Sequence, residues 1–119
     1  MSAQVWNYHE TAGRFDGVDL VGYRVEATDG HIGKVDRHSA EVDSSYVVVD
    51  TGAWIFGRQV LLPAGTVTRI DTEAQKVWVD RTKDQIKDSP EFQPETHTED
   101  PDYFNLVGGY YFGGYPPVR

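Results

Sequence analysis

Four histidines, His9, His31, His38 and His97, are the side chains of this sequence best suited to ligate a metal or pass a proton near neutral pH. His31 and His38 lie among the carboxylates Asp36, Glu41 and Asp43, a set able to chelate a cation weakly. No two histidines stand at the short spacings of a zinc site, however, and the plainer expectation is exposed loop and strand residues. Asp80 and Asp84 could bring two carboxylates to about 6 Å, near the separation used in glycoside hydrolysis. Without a second layer to form a cleft, they read better as a solvated strand end and helix start. Ser39, Ser44, Ser45 and Ser89 sit in no Gly-x-Ser-x-Gly context. The run GGYYFGG, residues 108–114, lacks the lysine and following helix of a phosphate loop. There is no cysteine, which excludes disulfides, thiol catalysis and cysteine-rich zinc sites. The expectation is a protein that is not an enzyme and has no cofactor, no metal site and no small-molecule substrate.

Recognition is better represented than catalysis. Trp54, Ile55 and Phe56 stand together between Gly52 and Gly57. They either cap one end of a core or form an exposed apolar contact of the kind that marks interaction sites. Tyr103, Phe104, Tyr110, Tyr111 and Phe112 crowd a glycine-rich C-terminal stretch, which is unusual because disordered segments are aromatic-poor. These aromatics either fold back on the domain or dock on another subunit. The two clusters together are the candidate protein interface.

Charge narrows the partners. The chain has 19 acidic and 11 basic residues, a formal net charge of −8. Residues 88–119 alone carry six acids and one base. This balance argues against phosphate neutralisation and against docking on anionic lipid. Only Lys34, Arg37, Arg58 and Arg69 are available for a basic face, so nucleic acid is an unlikely partner. No apolar run approaches the ~20 residues of a membrane span, and no signal-peptide pattern is visible at the start; a cytoplasmic protein is expected.

The elements that would position these residues are mostly strands. The 119 residues suit one domain. In LVGYRVEA, Val21, Tyr23, Val25 and Ala27 alternate with polar residues, the period of a half-buried strand. Asp29-Gly30 then predicts a tight turn. In HIGKVDR the apolar Ile32 and Val35 are three apart with Gly33 between them, which predicts a bulge or a close backbone approach. Tyr46 to Val49 are apolar on both faces, as in a strand inside the sheet. Val60, Leu61 and Leu62 form a strand that stops at Pro63, which has no N–H to donate. TVTRID and KVWVDR read as a hairpin. Thr82 and Gln85 form a capping-box pattern for one short helix, Lys83 to Asp88, closed by Pro90.

Taken together, LVGYRVEATDGHIGKVD, SYVVVDTGAWIFGRQVLLPAGTVTRID and KVWVDRTKDQIKDSPEF resemble the PRC-barrel family, named for the cytoplasmic domain of the photosynthetic reaction-centre H subunit. The matching residues include Gly22, Val25, Asp29-Gly30, Ile32 to Val35, Tyr46 to Val49 and Leu62 to Ala64. The resemblance implies an all-β fold, a small SH3-like barrel of five to six strands with one short C-terminal helix and irregular terminal arms. It divides the chain into an N-terminal arm (1–17), a barrel domain (18–92) and an acidic, then aromatic and glycine-rich tail (93–119). It implies an adaptor or assembly module with no shared catalytic residues. The expected function is therefore a non-catalytic protein–protein interaction module that forms a homodimer. A ribosome- or RNA-associated maturation factor and a small-ligand or metal-binding barrel are the alternatives.

Overall fold

The computed structural model describes residues 6, 8, 18–39, 45–52, 58–98 and 100–112. Six strands form one sheet: β1 (Arg24–Ala27), β2 (Gly30–Ser39), β3 (Tyr46–Asp50), β4 (Gln59–Pro63), β5 (Val67–Asp71) and β6 (Lys76–Val79). Their order is β4-β3-β2-β1-β6-β5. Every pair is antiparallel except β1–β6, which is parallel. The expected all-β, barrel-like architecture is present. The sheet is not closed: β4 and β5 lie at opposite ends of the order and do not pair with each other. The free edge of β4 is instead occupied by the chain after β6. Val60 bridges Glu91, and the Phe92 N–H donates to the Gln59 carbonyl (3.1 Å).

Local sequence accounts for the curvature. In the β1–β2 pair Val25 faces Gly33 while Glu26 faces His31, so Ile32 is an extra residue on β2. This bulge resolves the broken alternation, because it lets Ile32 and Val35 both reach the core, at 1% and 2% exposure. Gly33 has φ 154°, and a Cβ built there would lie 2.1 Å from the Asp50 carbonyl oxygen. The bulge and the close approach are thus the same feature. The hairpin turn itself is Thr28-Asp29, one residue earlier than expected, with Gly30 opening β2. Asp29 has a second role, accepting a hydrogen bond at Oδ1 from the Lys83 N–H (2.8 Å). Pro63 ends β4 as expected and leads into a buried 3-10 turn, Ala64–Thr66, where the Thr66 hydroxyl donates to the Pro63 carbonyl.

The expected short helix is α1 (Lys83–Lys87). Its capping box is complete: Thr82 Oγ1 accepts from the Gln85 N–H, and Gln85 Oε1 accepts from the Thr82 N–H. Asp29 caps the adjacent orphan donor at Lys83, so two distant turns meet at one helix start.

Two further helices, not expected from the sequence, lie within the acidic and aromatic tail. α2 (Pro94–His97) opens on proline, and α3 (Pro101–Phe112) runs twelve residues. Tyr103, Val107 and Tyr111 form the buried stripe of α3 at a spacing of four. Gly108 and Gly109 obscure that stripe in the sequence, because glycine inside a helix costs up to about 1 kcal/mol each relative to alanine. Packing of the stripe against the core outweighs the propensity.

The β5–β6 turn carries a pH dependence. Asp71 Oδ1 accepts from the backbone N–H groups of Glu73 and Ala74, each at 3.0 Å. The Ala74 N–H foremost, then the Glu73 N–H and the charges of Arg69 and Lys76, hold this carboxyl below its ordinary value. A lowered folded-state pKa adds stability above the unfolded carboxylate range and loses it as pH falls through the folded value. Asp71→Asn is expected to melt below the wild type at neutral pH, with the difference closing in acid. Thermal unfolding across pH checks this; a constant difference at every pH refutes it.

Candidate functional site

Alternation along paired strands places one polar residue from each strand in a single row on the outer face. The register runs Gln59–Asp50–Lys34–Arg24–Lys76–Asp71, from β4 to β5. Their neighbours Val60, Val49, Val35, Val25, Val77 and Ile70 are buried, so the row faces away from the core. Its centre is three cations on adjacent strands. Arg24 is relieved by Glu26 (3.6 Å), which also meets His31 Nδ1 (3.1 Å). Lys34 and Lys76 form no ion pair within 4 Å among the described residues. Beside the row, Arg69 lies over the half-buried Trp78 ring, 4.9 Å from its centroid, and pairs with Asp71 (3.3 Å).

The β3–β4 half of the outer face is covered. Tyr46 shares a face with Val48 and Asp50, and Phe104 of α3 meets the Tyr46 ring edge-on (5.5 Å). Trp6 stacks on Phe104 (5.3 Å), and the Tyr8 hydroxyl donates to the carbonyls of Ser39 and Tyr46. This cover explains why Val47, Val48 and Val49 are all fully buried. Arg81 latches the end of α3. It donates to the Tyr111 carbonyl (2.6 Å), pairs with Asp80, and lies over the rings of Tyr111 and Phe112. Burial pushes the Tyr103 and Tyr111 hydroxyls above their ordinary pKa, so both stay neutral.

The candidate interface aromatics divide by helical position. Tyr103 and Tyr111 are buried in this chain's own core, and Phe104 is half-buried beneath Trp6. Tyr110 (39% exposed) and Phe112 (38%) reach the surface, Tyr110 one turn from Leu106 (46%) and Phe112 on another side under Arg81. Trp54, Ile55 and Phe56 lie outside the described residues. His9, Glu41 and Asp43 do too.

The remaining chemistry-bearing residues serve local structure. His38 Nε2 accepts from the Leu20 N–H (3.1 Å). His97 stacks on Tyr103 (4.0 Å, 2°), and its Nδ1 accepts from the Gln93 N–H. The Asp80 carboxylate is engaged by Arg81. Among the described residues no three His, Cys, Asp or Glu side chains converge to hold a metal. Of the four bases expected to make a basic face, Arg58 is spent on the end of α1, donating to the carbonyls of Lys87 and Ser89. Arg37 pairs with its neighbour Asp36. Sequence reading missed Arg24 and Lys76, because only the β1–β6 register brings them beside Lys34.

The fold is a small barrel-like β-sheet with helices on its β4 edge. No family model and no curated protein matches the chain. Eight chains of solved structures do. One is the crystal structure of a candidate 16S ribosomal RNA processing protein, RimM, from Pseudomonas aeruginosa, similar at 26% identity with a TM-score of 0.48. The match covers 61% of this chain and 46% of that one, so this chain spans less than half the length of that relative. Among the described residues no helix is long and apolar enough to cross a membrane.

Proposed function

We propose that this chain is a non-catalytic assembly module of the PRC-barrel type, cytoplasmic, that associates with a second copy of itself. The observation that carries the reading is the outer side of α3. The helix spends Tyr103, Val107 and Tyr111 on its own core yet leaves Leu106 and Tyr110, one turn apart, partly exposed on one side. Two large side chains held one turn apart on a short, latched helix form a preorganised contact. A two-fold pairing of such helices buries the same patch on both partners. Light scattering at tens of micromolar in high salt, which screens contacts between charges, tests it. The wild type is expected at dimer mass and Leu106→Glu at monomer mass with unchanged melting temperature. A monomeric wild type overturns the reading.

A further inference from the structure

We infer that the bare half of the outer sheet face, centred on Lys34, Arg24 and Lys76, docks the acidic Asp88–Glu95 segment of a second copy. The inference rests on the assembly reading but uses a different surface from α3. Like charges directly opposite one another on neighbouring strands are unfavourable. Here three cations stand in one register row, with adjacent strands about 4.8 Å apart. Glu26 pairs with Arg24, Asp71 offsets the charge of its register neighbour Lys76, and Lys34 has no ion-pair partner among the described residues. Asp50, beside Lys34 in the row, turns its carboxylate to the Gly52 N–H (3.0 Å), and Asp71 is held by its own turn and Arg69. The opposite excess sits on the β4 side of the same molecule. Asp88, Glu91 and Glu95 are exposed, and none forms an ion pair among the described residues. Glu91 and Glu95 line, with Asp50 and Arg58, one open cavity of about 340 Å³.

Each copy therefore presents a cationic row and an acidic segment on different elements. A second copy can bring its acidic segment onto the row. The contact either pairs reciprocally about a two-fold axis, each row meeting the other copy's segment, or repeats head-to-tail into a ring or filament. Charge complementarity across such an interface steers encounter and sets register, and salt screens it over about 10 Å at 0.1 M. The carboxylates of a second copy suit this face better than nucleic acid does. One side of Trp78, the aromatic on the face, is already covered by Arg69, and Glu26 stands between the row and His31.

Sedimentation velocity on the full chain at low and high salt tests this, with charge reversal on each patch. The variant pair Lys34→Glu/Lys76→Glu and the triple Asp88→Lys/Glu91→Lys/Glu95→Lys are each expected to associate at least about tenfold more weakly than wild type at low salt. Mixed together they are expected to associate again, because each reversed patch then meets its complement. Thermal melts confirm that both fold. Leu106→Glu, which tests the α3 contact, is expected to leave the salt-dependent association in place. Association that survives either reversal, or a mixture that stays dissociated, overturns the inference. A wild type that is monomeric at low salt overturns it too. Loss of oligouridylate binding in Lys34→Glu/Lys76→Glu, with self-association unchanged, assigns the face to nucleic acid instead.

Discussion

Gly33→Ala is expected to destabilise the protein by about 3 kcal/mol or more, lowering the melting temperature by roughly 10 °C or more. The new methyl would stand 2.1 Å from the Asp50 carbonyl oxygen, 2.9 Å from its carbon and 3.0 Å from Thr51 Cα. All three are backbone atoms, so no side chain can rotate away. Relief requires β2 and β3 to separate where Lys34 pairs Asp50, and that pair belongs to the row that crosses the whole sheet. Gly30→Ala is the matched control. Its φ of 149° is nearly the same, but its Cβ would meet only the flexible Lys83 side chain at 3.3 Å. Comparing the two melts separates the conformational cost from the overlap. Equal losses would mean that the contact with Asp50 is not what demands glycine at position 33.

The second large effect is expected at Phe92. Truncation of a fully buried phenylalanine costs about 3–5 kcal/mol. Phe92, 2% exposed, is the joint between the barrel and the two C-terminal helices. Its ring meets His97 (6.3 Å) and Tyr103 (5.8 Å), and its N–H is bonded to the edge of β4. Phe92→Ala is expected to release α2 and α3 before the sheet melts. Amide exchange in α3 should then accelerate well beyond that in β2 and β3. Uniform acceleration throughout the chain would show that helices and sheet open as one cooperative unit.

The parts of the fold that were legible from sequence are those governed by short-range rules. The alternation from Tyr23 to Ala27, the three consecutive valines of β3, the proline after Leu62 and the capping box at Thr82 each act within a few residues, and each appears in the structure. Val21 does not join the alternation, because it lies exposed in a turn before β1 while Leu20 takes the place in the core. The bulge was legible for the same reason, since Ile32 and Val35 cannot both face inward in a regular strand. α3 was not, because Gly108 and Gly109 lower helix propensity where only packing by Tyr103, Val107 and Tyr111 restores it. The cationic row was not legible either. Lys34 shows as a surface lysine, but its adjacency to Arg24 and Lys76 depends on which strands pair. Likewise the aromatic cluster could be located but not divided. Which of Tyr110 and Tyr111 faces solvent is decided by the docking angle of the helix.

The parallel β1–β6 pair has a consequence for how the molecule forms. β1 with β2, and β5 with β6, are hairpins whose strands meet through short turns, and such units assemble quickly. The seam between them joins Arg24 to Lys76, fifty-two residues apart, and must be closed against the entropy of the intervening loop. High sequence separation of this kind slows folding. The two hairpins are accordingly expected to form early, with zipping of the β1–β6 seam as the late event that sets the folding rate.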